Sequence, residues 1–129
     1  MRNHTNVANN IIYPELSYLI TGICFETQRE LGRFCRQKQY CDFFETKLQD
    51  RNIRYEREKI INNEYIKGNR VDFIVDDKIL LEMKSLPFIT KNHYFQVQRY
   101  LTATNLKLAM LINFQSKYLK PKRIINNKI

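Results

Sequence analysis

The chain has 129 residues, of which 43% are hydrophobic and 12% aromatic. This length supports one hydrophobic core but not two, and the composition excludes an intrinsically disordered protein. The net charge of +9 is typical of a small domain that binds a polyanion, most commonly nucleic acid, although solubility or an AT-rich genome would produce the same bias.

The cysteines and the absence of long apolar runs point to a reduced, soluble setting. Cys24, Cys35 and Cys41 form no CxxC pair, which argues against a disulfide framework and a four-ligand zinc site. No apolar run approaches the roughly 20 residues that span a bilayer. The N-terminus, MRNHTNVANN, lacks the apolar stretch of a signal peptide. We therefore expect a cytoplasmic protein that does not associate with membranes.

The first half of the chain reads as two helices. Residues 1–12 are polar and rich in Asn, so we expect a flexible N-terminal segment followed by one domain over 13–129. Apolar residues spaced three and four apart predict a helix from Tyr13, with Pro14 in its first turn and Gly32 as its C-cap. A second helix is predicted over about 37–51.

The second half has strand periodicity around one further helix. From Ile53 the apolar period is two, and the charged stretch 54–59 indicates a solvated edge strand. Lys67-Gly68-Asn69 reads as a turn. Residues 70–85 predict a hairpin with two fairly apolar faces, one of them carrying Val71, Phe73 and Val75. A helix over about 90–104 and strands over 107–114 and 122–125 complete the order α-α-β-β-β-α-β-β. We predict an α/β fold with a mixed central sheet flanked by helices.

The loop length of this hairpin decides which side chains meet. Glu82 and Lys84 are two positions apart, so they share one face of their strand. A two-residue loop would put Asp72 and Glu82 on opposite faces, whereas a three-residue loop over 76–78 pairs Asp72 with Glu82 and Arg70 with Lys84. We predict the three-residue loop.

Two carboxylates facing each other across a hairpin repel, and a divalent cation removes the repulsion. The carboxylates of Asp72 and Glu82, with the backbone carbonyl of Met83, suit Mg²⁺ or Mn²⁺. Such an ion would activate water against a phosphate, and Lys84 would orient that water or stabilise the developing charge. A plain surface hairpin is the alternative, but it explains poorly why Glu82 and Lys84 interrupt the apolar run ILLEMKSL.

Four segments of the chain carry a family resemblance: ELSYLITGICFETQRELG, RVDFIVDDKILLEMKS, YFQVQRYLTATNLKLAMLINF and LKPKRII. They resemble the GxxExxY family of the PD-(D/E)XK nuclease superfamily, from about Tyr13 to Ile125. The resemblance implies a single-domain restriction-endonuclease-like core with a metal site at Asp72, Glu82 and Lys84. It also implies catalytic roles for Gln96 and Tyr100, which match the Q-x3-Y helix of the family. Four positions apart, these two share a helix face, and a polar–aromatic rim would also account for them.

The chain departs from the family at one position. Gly32 and Tyr40 align with the Gly and Tyr of the family's name, but Gln37 stands where the Glu is expected. Gln is a neutral and weaker Mg²⁺ ligand. Three explanations are open: the protein is a degenerate nuclease, another acid such as Glu30 or Glu45 substitutes, or two carboxylates suffice.

Basic side chains are the predicted contacts to nucleic acid, with DNA favoured over RNA. The candidates are Arg70 and the C-terminal Lys117, Lys120, Lys122 and Arg123, with Tyr118 placed to stack on a base. A solvated C-terminus explains the tail equally well. We therefore predict a Mg²⁺-dependent nuclease. The alternative is a weakened or inactive nuclease-fold module that binds nucleic acid or forms a homodimer or larger complex.

Overall fold

The computed structural model describes residues 12–62 and 68–129. Its elements follow the predicted order: α1 (Pro14–Leu31), α2 (Gln37–Asp50), β1 (Tyr55–Ile61), β2 (Asn69–Val75), β3 (Ile79–Lys84), α3 (Lys91–Thr104), β4 (Leu108–Asn113) and β5 (Lys122–Ile125). The predicted flexible segment, apart from Ile12, and Lys67 of the predicted turn lie outside the described residues.

The five strands form one mixed sheet in the order β1-β2-β3-β4-β5. Among the strands of the described residues, only β3 and β4 run parallel to each other, and α3 supplies the crossover that a parallel pair requires. These two strands are central, which explains their nearly continuous apolar sequence. The charged strand β1 lies at an edge, as predicted, where its side chains reach solvent.

Helices cover both faces of the sheet. The pair α1 and α2 packs on one face around Ile20, Phe44, Phe73 and Met110, and α3 packs on the other around Leu80, Val97 and Leu111. The local signals of α1 are those expected, since Pro14 lies in its first turn and Gly32 ends it with φ +77°. None of the helices in the described ranges is long and apolar enough to cross a membrane.

One prediction about the hairpin faces was wrong. Alternation placed Val71 and Phe73 on the same face, but Phe73 packs under α1 and α2 whereas Val71 packs under α3. The neighbouring strand shows the same exchange, with Tyr55 on the α1–α2 side and Ile61 on the α3 side. Strict period-two alternation therefore fails midway along β1 and β2.

The exchange of faces coincides with a break in the ladder between these two strands. Arg57 pairs with Phe73, and Lys59 pairs with Val71, but the intervening Glu58 has φ +54°. Positive φ is uncommon for a residue other than Gly, and such irregularities bend a strand and re-aim its side chains. The residue opposite Glu58 in this register is Asp72, so the irregularity lies at the candidate site.

Candidate active site

The hairpin register brings Asp72 opposite Glu82. Strands β2 and β3 pair Phe73 with Leu81 and Val75 with Ile79, which confirms the three-residue loop over 76–78. Both aspartates of that loop have φ +54°, a conformation that Asp tolerates better than most residues. Continued by one residue, the register places the two carboxylates side by side.

The backbone ladder opens at this point, and the two carboxylates take its place. The Asp72 N–H donates to Oε2 of Glu82 at 2.9 Å. The Met83 N–H donates to Oδ2 of Asp72 at 2.7 Å. Each acid therefore accepts a hydrogen bond from the backbone of the opposite strand. The two carboxylates lie between β2 and β3 and bridge them where the direct backbone pairing ends.

Burial leaves the carboxylate pair electrostatically unsatisfied. Glu82 is 4% exposed, and burial followed by the charge of Asp72 raises the pKa of Glu82 to about 8. Burial also raises the pKa of Asp72. Lys84 Nζ lies 3.8 Å from Glu82 Oε1, too weak an attraction to reverse the shift. The pair therefore retains a proton at neutral pH unless a cation takes its place.

Gln37, the first residue of α2, contacts one member of this pair, Asp72. Its Nε2 donates to both carboxylate oxygens of Asp72, at 3.2 and 3.1 Å. The position at which the family resemblance leads us to expect Glu thus faces the predicted metal site. As an amide donor, Gln37 stabilises the ionised form of Asp72 without adding a third negative charge.

Asp72 opens into a cleft of about 310 Å³ between α2 and the strands. Its lining combines acidic, basic and thiol groups from Gln37, Lys38, Cys41, Arg57, Glu58, Arg70 and Asp72. Burial, followed by the charge of Asp72, raises the pKa of the Cys41 thiol to about 12. Cys41 therefore stays protonated and is a poor nucleophile.

The acids considered as replacements for the missing Glu lie elsewhere. Glu45 accepts hydrogen bonds from Tyr55 Oη at 2.6 Å and from Arg57 Nη1 at 2.7 Å, and Glu30 is exposed near the end of α1. Over residues 12–62 and 68–129, no group of three or more His, Cys, Asp or Glu side chains is arranged to hold a metal ion. The candidate site therefore has two carboxylates.

The helix residues implied by the family resemblance lie on α3. Tyr100 is 3% exposed, and Asn69 Nδ2 donates to its hydroxyl at 3.5 Å. Burial raises the pKa of Tyr100, and the charge of Glu82 adds to the effect, so a protonated hydroxyl lies within the field of the carboxylates. Gln96 is half-buried one turn earlier. The sequence did not predict a role for Asn69, because nothing in its sequence context indicates a contact with Tyr100 on α3.

The predicted nucleic-acid contacts separate into two groups. Arg70 borders the cleft, where it lies 3.5 Å from Glu58, and Lys117, Lys120 and Lys122 are exposed. Arg123 differs, because its guanidinium donates to Ser17 Oγ at 2.6 Å and to the Ile12 carbonyl at 2.8 Å. Those bonds fasten β5 to the start of α1.

A mixed five-stranded sheet with helices on both faces, and an acid pair where β2 and β3 separate, defines an α/β domain of the restriction-endonuclease-like class. The sequence profile of the PD-(D/E)XK nuclease superfamily matches residues 14–125. The chain belongs to this superfamily, as the resemblance predicted.

Two solved structures are similar to this chain at low sequence identity. A protein designated SSO0001 has a TM-score of 0.53 and 17% identity over 82% of this chain and 65% of its own. An alkaline exonuclease from Laribacter hongkongensis has a TM-score of 0.49 and 13% identity, over 65% of this chain and 53% of its own. The chain thus matches between about half and two thirds of the length of these proteins. No curated protein sequence matches it.

Proposed function

We propose that this protein is a metal-dependent nuclease that hydrolyses phosphodiester bonds at Asp72, Glu82 and Lys84. The observation that carries the proposal is the buried acid pair. Within the described part of the chain, Lys84 is the only cation within 4.0 Å of either carboxylate. Maintaining two adjacent acids without a closer cation costs stability, and cation binding is the function that explains this cost.

The donor atoms suit Mg²⁺ or Mn²⁺. Mg²⁺ sites usually combine one or two carboxylates with waters and substrate phosphate oxygens, and Asp72 and Glu82 supply two carboxylates. The backbone carbonyl of Met83 is the third proposed donor, while the Met83 side chain is fully buried in the core. When bound, the ion would lower the pKa of a coordinated water and neutralise charge on the phosphate.

The other residues act by positioning and by charge. The Lys84 side chain is only 18% exposed, so its ammonium interacts with a phosphate in a partly desolvated setting, where it stabilises the charge of the transition state. Gln37 holds the Asp72 carboxylate through both oxygens. Tyr100 and Gln96 are proposed to contact the phosphate or to position Lys84 from the α3 side.

We also propose that the chain belongs to the GxxExxY family. A contact between Gly32 and Tyr40, which align with the Gly and Tyr of the family's name, supports this. Tyr40 Oη donates to the Gly32 carbonyl and accepts from the Cys35 N–H at 3.2 Å, while its ring stacks on Phe114 with centroids 4.5 Å apart. These contacts hold the loop that leads into α2, and therefore the position of Gln37.

The proposed substrate is nucleic acid, with DNA favoured over RNA. The net charge of +9 favours a polyanion, and Arg70 lies at the cleft. A second candidate function is a binding module that has lost turnover, alone or within a homodimer or larger complex. Gln37 favours it, because the expected acid is absent.

Cleavage assays separate these functions. Labelled single- and double-stranded DNA and RNA would be incubated with Mg²⁺, Mn²⁺ or EDTA, using the wild type and Lys84→Ala. Lys78→Ala is the matched control, since Lys78 lies in the hairpin loop. Metal-dependent cutting that only Lys84→Ala abolishes supports the nuclease. Salt-sensitive binding without cutting supports the binding module. A protein that neither cuts nor binds nucleic acid would have a structural role in a complex.

A further inference from the structure

A second concave surface lies two strands away from Asp72, at the far side of β4. This cavity of about 290 Å³, named here the β4 cavity, is lined chiefly by Phe88, Ile89, Tyr94, Leu111, Lys120 and Lys122. We propose that the β4 cavity is a subsite for one unpaired nucleotide of the substrate strand, with its base on Phe88 and its phosphate near the lysines. The inference rests on the proposed nuclease function, whose substrate it specifies.

The sheet register aligns the β4 cavity with the acid pair. Glu82 pairs with Leu111 across β3 and β4, and Leu111 pairs with Lys122 across β4 and β5. Neighbouring strands lie about 4.8 Å apart, so the Glu82 and Lys122 backbones are separated by roughly 10 Å. Asp72, Glu82, Leu111 and Lys122 thus form one row across the sheet. Leu80 and Leu111 both pack under α3, and Glu82 lies two positions after Leu80, so Glu82 shares the face of the sheet on which the β4 cavity lies. A nucleic-acid strand that crosses this face would meet Glu82 and the cavity within a few nucleotides.

Two residues further along β3, Lys84 pairs with Asn113 of β4, and Asn113 also lines the cavity. Asn113 is 8% exposed and binds the backbone of Leu86 twice. Its Nδ2 donates to the Leu86 carbonyl at 2.9 Å, and its Oδ1 accepts from the Leu86 N–H at 3.0 Å. These bonds fix the loop that carries Phe88, so the aromatic ring is presented from a held backbone.

The chemistry of the lining fits a nucleotide better than a neutral or cationic ligand. Phe88 is 74% exposed, and an aromatic face of this kind stacks on any base. Lys120 and Lys122 are both exposed and supply positive charge for a phosphate. The described residues that line the cavity include no acid. A base can stack on Phe88 only when it is unpaired, so the β4 cavity favours single strands and frayed ends over intact duplex.

Fluorescence anisotropy with a labelled single-stranded oligothymidylate in EDTA tests the subsite. We expect Phe88→Ala to weaken binding by about 5- to 150-fold, the range for loss of one base–aromatic stack. Phe88→Trp should restore affinity. Lys122→Gln should weaken binding and reduce its dependence on salt. Phe95→Ala is the matched control, because Phe95 is also exposed, at 56%, but does not line the cavity.

The two proposals fail in different ways. Equal affinity of wild type and Phe88→Ala, or equal affinity for single strand and duplex, would overturn the subsite, whether or not the protein cuts. Phe88-dependent binding without cutting in Mg²⁺ or Mn²⁺ would support the subsite and reject the nuclease. Cutting that Lys84→Ala abolishes, with binding that Phe88→Ala weakens, would support both.

Discussion

Two residues that line the cleft, Arg57 and Asp72, each belong to a cluster with a pair of acids, and the environments of the two pairs are opposite. Asp42 and Glu45 on α2 both bind Arg57 of β1, each at 2.7 Å. Hydrogen bonds from Lys38 and then Arg57 lower the pKa of Asp42, and those from Tyr55 and Arg57 lower the pKa of Glu45. This pair is satisfied within the protein and ties α2 to the sheet.

The pair Asp72 and Glu82 differs in burial and in its counterion. Burial raises the pKa of both acids, and the nearest cation in the described part of the chain, on Lys84, lies 3.8 Å from Glu82 rather than in hydrogen-bond contact. The same residue type is therefore structural where an arginine reaches it and available to a ligand where none does. This contrast supports the proposed role of Asp72 and Glu82 more strongly than their positions in the sequence do.

The largest expected effect comes from neutralising an acid of the buried pair, compared with neutralising an acid of the pair that binds Arg57. We expect Asp72→Asn to lower the single-turnover cleavage rate by about 100- to 1,000-fold, because a group that stabilises the transition state is lost. Asp42→Asn should remain within a few-fold of the wild type. Similar losses in the two variants would show that the distinction between the pairs has no catalytic meaning.

Stability without metal should fall as pH rises. The pKa of Glu82 is raised from 4.5 to about 8, so the unfolded state releases this proton first. The stabilisation that the protonated Glu82 contributes to the free energy of unfolding is therefore fully present below about pH 4.5. It falls by a few kcal/mol as the pH rises to about 8. Urea unfolding in EDTA between pH 5 and 8 measures it. Glu82→Gln should remove most of this slope, and an unchanged slope in that variant would contradict the assignment. Mg²⁺ should restore stability at pH 8.

Gln37→Glu should turn the acid pair into a triad. Without metal, the new carboxylate loses the hydrogen bonds to Asp72 and repels it, so the melting temperature should fall. With metal, we expect about ten-fold tighter Mg²⁺ binding by calorimetry, because the added ligand is charged. Asn127→Asp, at the exposed C-terminus, controls for net charge. Unchanged affinity in Gln37→Glu would place the ion away from α2.

The smallest expected effect concerns the satisfied pair. Arg57→Gln should lower the melting temperature by a few degrees, because a partly exposed ion pair contributes modestly to stability. Mg²⁺ affinity should change little. A large loss of metal binding in Arg57→Gln would mean that the two acid pairs form a single electrostatic unit.

Much of the fold followed from local pattern. The apolar periods predicted, in order, the eight elements found in the described residues, since helix and strand periods depend only on which neighbouring side chains must be buried. The odd register of the hairpin was predicted because only a three-residue loop brings Asp72 and Glu82 to one face of the sheet. The alternation on β2 was misjudged at Val71, because a pattern of period two carries no signal of the break opposite Glu58.

The proximity of Asp72 and Glu82 was determined by the local sequence. The hairpin joins them through a short loop, and the length of that loop fixes which residues of β2 and β3 are paired. Contacts between distant segments were decided by the tertiary structure. Packing of α2 on the sheet brings Gln37 to Asp72 and directs Arg57 to Glu45. No arginine of residues 12–62 and 68–129 forms a salt bridge with Asp72 or Glu82. Such contacts depend on how whole elements dock, and no local period records that geometry.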